Sequence, residues 1–150
     1  MRLKNARVIV TGASQGIGRA IAIEFARLGA RVALASRNRP ALEELAASIK
    51  AEGGSALVIA TDVTAEGAAK QMADEAIREL GGIDILVNNA GRGMSAAIGD
   101  ASAEDVETLF RLNVLAAAAA IRAVIPVMRA QRSGLIINIS SMAEIGRAHV

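Results

Sequence analysis

Short apolar runs rich in β-branched residues alternate along this chain with longer stretches whose apolar positions recur every three or four residues. The first pattern signals strands and the second amphipathic helices, so the alternation predicts successive βαβ units. Ala6–Val10 reads as a strand, followed by a helix over Gly16–Leu28 with Ile17, Ile21 and Phe25 on one stripe and Gly29 as its stop. Arg31–Ala35 is a second strand, and Pro40 stands in the first turn of a helix through Ala51, where its missing donor costs little. Gly53-Gly54 closes that unit and Ala56–Ala60 forms the third strand. Thr64 is the expected N-cap of a helix to about Leu80, Gly81-Gly82 ends it, and Ile83–Val87 is strand four. Ser102-x-x-Asp105 has capping-box spacing and opens another helix. After an expected break near Asn113, an alanine-rich helix runs to about Gln131 before strand five, Leu135–Ile139. The strands are continuous apolar runs, which implies burial on both faces: a parallel sheet with helices on either side and right-handed crossovers. Ala116–Ala120 fits close helix packing.

Composition narrows this picture. At 150 residues, 53% hydrophobic and 21% charged, the chain is one globular domain. It has no cysteine and a single histidine, His149, which leaves no disulfide, thiolate nucleophile or imidazole cluster. Seventeen basic residues are scattered against 15 acidic ones, for a net charge of +2 and no stripe suited to nucleic acid. The longest uncharged stretches, Val8–Gly18 and Ser133–Ala143, fall well short of the ~20 residues of a membrane span. Arg2, Lys4 and Arg7 precede only the brief run Val8–Val10, too short for a signal peptide, and a cytoplasmic location is expected. Tyrosine and tryptophan are absent, and Phe25 and Phe110 are the only aromatic residues.

The chemistry begins at Thr11-Gly12-Ala13-Ser14-Gln15-Gly16-Ile17-Gly18, placed between the first strand and the first helix. Glycines at such a turn let the backbone approach a pyrophosphate, and the helix N-terminus offers unpaired N–H donors and partial positive charge. The spacing is T-G-x-x-x-G-x-G. Further motifs follow in order: Asp62-Val63 after strand three, Asn88-Asn89-Ala90-Gly91 after strand four, Asn113 in the next helix, and Ile137-Asn138-Ile139-Ser140-Ser141 at strand five. By these motifs the chain resembles the short-chain dehydrogenase/reductase family over nearly its whole length. The resemblance implies an α/β Rossmann-type doubly wound parallel sheet of order 3-2-1-4-5. It further implies a nicotinamide dinucleotide held by Gly12, Ser14, Gln15, Gly16, Ile17, Gly18, Asp62, Val63, Asn88, Ala90 and Gly91.

Strand two ends in Ser36-Arg37-Asn38, without the acid that usually holds an NAD ribose. Arg37 offers a planar fork of donors suited to a 2′-phosphate, which favours NADP(H) over NAD(H). Many NADP-preferring relatives carry a basic residue where Gln15 stands. The family's chemistry uses a serine to polarise the substrate oxygen, an asparagine to anchor a proton-relay water, and a tyrosine with a lysine four residues on as general acid/base. Asn113 matches the asparagine, and Ser141 matches the serine better than Ser140, since two small residues follow it in the family. The tyrosine and lysine have no counterpart, so this chain is expected to be inactive. The parent enzyme is expected to be a homo-oligomer acting on a small carbonyl or alcohol compound, without nucleic-acid or membrane partners. A non-catalytic NADP(H)-binding module and a fragment without function are the alternatives.

The sequence also suggests a boundary. Residues 1–143 read as an incomplete domain of this family, stopping after strand five, and 144–150 as a non-native tail. Those seven residues depart from the family pattern where a glycine is expected. They can be back-translated as GAG ATC GGA AGA GCA CAC GTC, the start of a common sequencing adapter.

Overall fold

A computed structural model describes residues 3–93 and 99–140. Five parallel strands, β1 (Arg7–Thr11), β2 (Arg31–Ser36), β3 (Ser55–Ala60), β4 (Ile85–Asn88) and β5 (Leu135–Asn138), form one sheet of order β3-β2-β1-β4-β5. The helices are α1 (Gly16–Arg27), α2 (Arg39–Ala51), α3 (Ala68–Leu80), α4 (Ala103–Phe110) and α5 (Ala116–Gln131).

Both faces of β1, β2 and β4 are buried, as the continuous apolar runs require, whereas β3 and β5 at the two ends of the sheet are largely only partly buried. Val8, Val10, Val32, Leu34, Ile85 and Val87 pack on one side with Ala22 and Ala26 of α1 and Leu42, Leu45 and Ile49 of α2. The intervening residues Ile9, Ala33, Ala35 and Leu86 face Met72, Ala76 and Leu80 of α3 and Ala120, Val124 and Met128 of α5. The sequence is thus doubly wound around the central strand, and α1, α2, α3 and α5 each contribute a stripe at helical spacing.

Two local expectations are corrected. Thr64 does not cap α3: its hydroxyl and backbone N–H both donate to Asp62 Oδ1, at 2.7 and 2.9 Å, and the helix starts four residues later behind Gly67, whose φ of 74° only a glycine adopts easily. Nor is there a break at Asn113. Ser102 and Asp105 form the expected capping box, and the helix continues through a π-helical turn, Arg111–Leu115, in which the Ala116 N–H donates to the Arg111 carbonyl. The resulting helical unit, Ala103–Gln131, is long and apolar enough to cross a bilayer by length and composition alone, a property hidden when the sequence is divided at Arg111, Arg122 and Arg129. In the fold it covers the sheet with one stripe, Ala116, Ala120, Val124 and Met128.

Candidate functional site

Parallel strands deliver the glycine-rich turn, Asp62-Val63, Asn88-Asn89-Ala90-Gly91 and Asn138 to the same edge of the sheet, its C-terminal edge, where α/β folds place their ligands. The center is Thr11, 2% exposed at the end of β1. Its Oγ1 accepts from the backbone N–H groups of Asn89 and Ala90, each at 3.0 Å, and donates to the Val87 carbonyl at 3.3 Å. The Asn89 amide nitrogen in turn donates to the carbonyls of Thr11 and Gly12, at 3.0 and 3.3 Å. The glycine-rich turn and the loop after β4 are therefore one hydrogen-bonded unit.

Within that unit the glycines have different duties. A Cβ on Gly18 would collide with the Gly12 carbonyl oxygen and the Asn89 amide nitrogen, so Gly18 permits packing. Gly16 has φ of +56° and nothing within 4 Å of where a Cβ would stand, so its side lies open. Beside it, Gln15 precedes α1 without making a side-chain cap, and the first turn of the helix holds no acid. Gln15, Gly16 and Ile17 are exposed, Ser14 is partly exposed, and Ile17 stands 64% exposed despite being placed on the core stripe by its spacing. This open helix start with unopposed N–H donors is the arrangement that an anionic phosphate complements.

Around this turn lie the other predicted residues. Arg37 is exposed just past β2 and makes no ion pair among the described residues. Asn38 beside it is occupied, capping α2 by accepting from the Ala41 N–H at 3.2 Å. The Asp62 carboxyl is held below the usual carboxylate range, chiefly by the Thr64 hydroxyl and then its N–H, against a small burial effect, with the Arg37 charge adding slightly. Asp62 is thus ionised at neutral pH. A small cleft between the strand ends and α5 is lined by Thr11, Val63, Asn88, Ala90, Ala116, Ala117 and Ala120.

Asn113 is brought to the site from the π-helical turn. Its Oδ1 accepts from the Arg92 N–H at 3.1 Å and its Nδ2 donates to the Arg92 carbonyl at 2.9 Å, and a Cβ on Gly91 would stand 3.1 Å from Oδ1. The side chain clamps the chain just beyond the Asn-Asn-Ala-Gly segment. Ser140 is exposed after β5, whereas Ser141 and the stretch 144–150 lie outside the described residues. Sequence reasoning gave no separate role to Thr11. Thr11 was visible as the first residue of the glycine motif, but its hydrogen bonds reach across some 78 residues and no local pattern reports them.

The profile of the short chain dehydrogenase family matches residues 6–149. A short chain dehydrogenase of Pseudocercospora fijiensis is 42% identical over 144 residues, covering 94% of this chain and 46% of its own length. A fatty acyl-CoA reductase of Acinetobacter baylyi is 34% identical, covering 97% of this chain and 50% of its own. Among solved structures, a 7α-hydroxysteroid dehydrogenase complexed with NADH and 7-oxo glycochenodeoxycholic acid superposes with a TM-score of 0.89 at 38% identity, over 95% of this chain and 56% of that one. A short-chain type dehydrogenase/reductase from Mycobacterium marinum gives 0.89 at 39% identity, over 94% and 57%. The chain spans about half the length of the curated relatives it matches.

Proposed function

The chain belongs to the short-chain dehydrogenase family, and from that premise we propose that it is the cofactor-binding portion of an NADP(H)-dependent oxidoreductase acting on a carbonyl or alcohol substrate. The observation that carries the cofactor preference is the end of β2. Ser36-Arg37-Asn38 holds no acid to engage a ribose 2′-hydroxyl, and Arg37 stands exposed with its donors available to a phosphate. A dinucleotide fits the residues present. The open side of Gly16 and the uncapped start of α1 would take the pyrophosphate, the ends of β2 and β3 the adenosine half, and the cleft beside Asn88 and Ala90 the part nearer the reacting ring. The cofactor, when bound, supplies the hydride.

Arg37→Ala tests this preference. A hydrogen bond to a charged group is worth about 1.5–3 kcal/mol, so the variant should lose on the order of tenfold or more in NADPH affinity and little in NADH affinity. Equal losses for both dinucleotides would return the choice to NAD(H).

We further propose that these 150 residues bind cofactor without turnover. The chain contains no tyrosine to act as general acid/base, and removing a positioned proton-transfer group costs roughly 10²–10⁴-fold. Cofactor-dependent reduction of a carbonyl compound by this chain, abolished by Ser141→Ala, is the result that would refute it.

A further inference from the structure

Among the described residues, two polar side chains are buried, Thr11 and Asn88. The Thr11 hydroxyl binds the loop after β4, but Asn88 serves a different contact. Its Nδ2 donates to Asn138 Oδ1 at 2.9 Å, across the in-register pair that joins the ends of β4 and β5. The Asn88 carbonyl accepts from the Ile139 N–H at 2.9 Å, so backbone and side chain both hold the exit of β5. Asn138 is exposed and water can satisfy its amide, whereas Asn88 is 7% exposed and depends on the contact. Asn88 Oδ1 makes no hydrogen bond to another described residue. Asn88 lines the cleft with Thr11, Val63, Ala90 and Ala120.

A primary amide fits its pocket in two orientations related by a half turn, which exchange donor and acceptor. An oxygen at residue 138 selects the orientation in which the nitrogen of Asn88 faces β5 and its oxygen faces the cleft. We propose that Asn138 is a positioning residue for the dinucleotide site: its side-chain oxygen fixes the Asn88 amide so that Asn88 Oδ1 is the acceptor presented to a hydroxyl or amide donor of the bound cofactor. This inference rests on the reading of the cleft as a nicotinamide dinucleotide site. It assigns to β5, an edge strand in this structure, a part in shaping the cofactor cleft.

The experiment compares NADPH binding by the 150-residue chain and its N138D, N138L and N138A variants, followed by the cofactor's own emission, which no tryptophan or tyrosine of this chain obscures. Measurement at about 0.5 M salt, where the Debye length is roughly 4 Å, suppresses repulsion between an added carboxylate and the cofactor phosphates. N138D keeps an acceptor at the same place and is expected to bind within about twofold of the parent. N138L and N138A lose one net hydrogen bond and are expected to bind roughly three- to tenfold more weakly. Their melting temperatures should fall modestly, because the Asn88 amide nitrogen loses its partner, so binding is compared at a temperature where every variant is fully folded. Parent-like binding by N138L and N138A would overturn the inference, and so would an N138D loss equal to theirs. A parent chain that binds neither NADPH nor NADH overturns the cofactor reading, and this inference with it.

Discussion

Single atoms decide what the glycine-rich turn tolerates. At Gly18 an added methyl meets the Gly12 carbonyl, which is backbone and cannot swing aside, so Gly18→Ala is expected to destabilise the chain by about 1–3 kcal/mol or more. At Gly16 space is free and only the left-handed conformation is strained, so Gly16→Ala should cost about 1–2 kcal/mol of stability while obstructing the open side where phosphate would approach. The two variants should therefore part: Gly18→Ala in the melting temperature, Gly16→Ala in NADPH affinity relative to its melting temperature. Thr11 gives a second contrast. Thr11→Val strips the acceptor shared by the Asn89 and Ala90 N–H groups, at about 1–3 kcal/mol for each donor left unpaired, whereas Thr11→Ser keeps it. Urea denaturation should rank the parent and Ser variant together, well above the Val variant.

Elements are held in register at the other edge of the sheet by side chains gathered on the turn from α3 into β4. Arg31 donates to the carbonyls of Leu80 and Glu79, satisfying the end of α3, and the Gln131 amide from α5 exchanges two hydrogen bonds with the backbone of Ile83. Arg7 of β1 grips Asp84 through Nε and Nη2, at 2.7 and 2.6 Å, and reaches the Gly81 carbonyl with Nη1. Both partners of this pair are about three-quarters shielded, and the Arg7 guanidinium holds the Asp84 carboxyl below its usual range against the opposing effect of burial. Because the folded value lies below the unfolded one, the stabilisation is fully present above about pH 4, the ordinary aspartate value, and is lost as pH falls through the folded value. Asp84→Asn is expected to cost about 1.5–3 kcal/mol at neutral pH. The gap between parent and variant should close below about pH 4. A gap of constant size throughout acid titration would show that the ion pair is not its source.

At the scale of the whole molecule, apolar surface is distributed unevenly. Val106, Phe110, Val114 and Leu115 on the long helical unit, and Leu135 and Ile139 at β5, are each 39–54% exposed. β5 has one strand partner among the described residues, β4, so its outer edge presents unpaired backbone groups beside apolar side chains. The isolated chain is expected to self-associate with rising concentration. Leu135→Lys should reduce that association in light-scattering measurements without lowering the melting temperature, because the position is already exposed.

Much of this was written in local sequence. Continuous apolar runs at Val8–Val10 and Val32–Ala35 are legible as doubly buried strands because side chains on both faces of a parallel sheet must be apolar, and the Ser102–Asp105 box is legible because a cap is satisfied within four residues. The glycine motif, Asp62 and the Asn-Asn-Ala-Gly segment could be found for a related reason: each occupies a fixed offset from a strand end. What the sequence did not disclose depends on partners far along the chain. Thr64 looks like a cap until Asp62 claims its hydroxyl, and Asn113 looks like a helix breaker until Arg92 accepts and supplies the hydrogen bonds that its amide would otherwise contest with the helix backbone. Ile17 fits the core stripe by spacing yet stands exposed in the first turn of α1, next to the open side of Gly16. Local sequence determined the elements and their order, since helix and strand signals reside in neighboring residues. Only the tertiary structure decided which polar groups are already satisfied and which remain open to a ligand, because that depends on atoms brought together from strands as many as 79 residues apart.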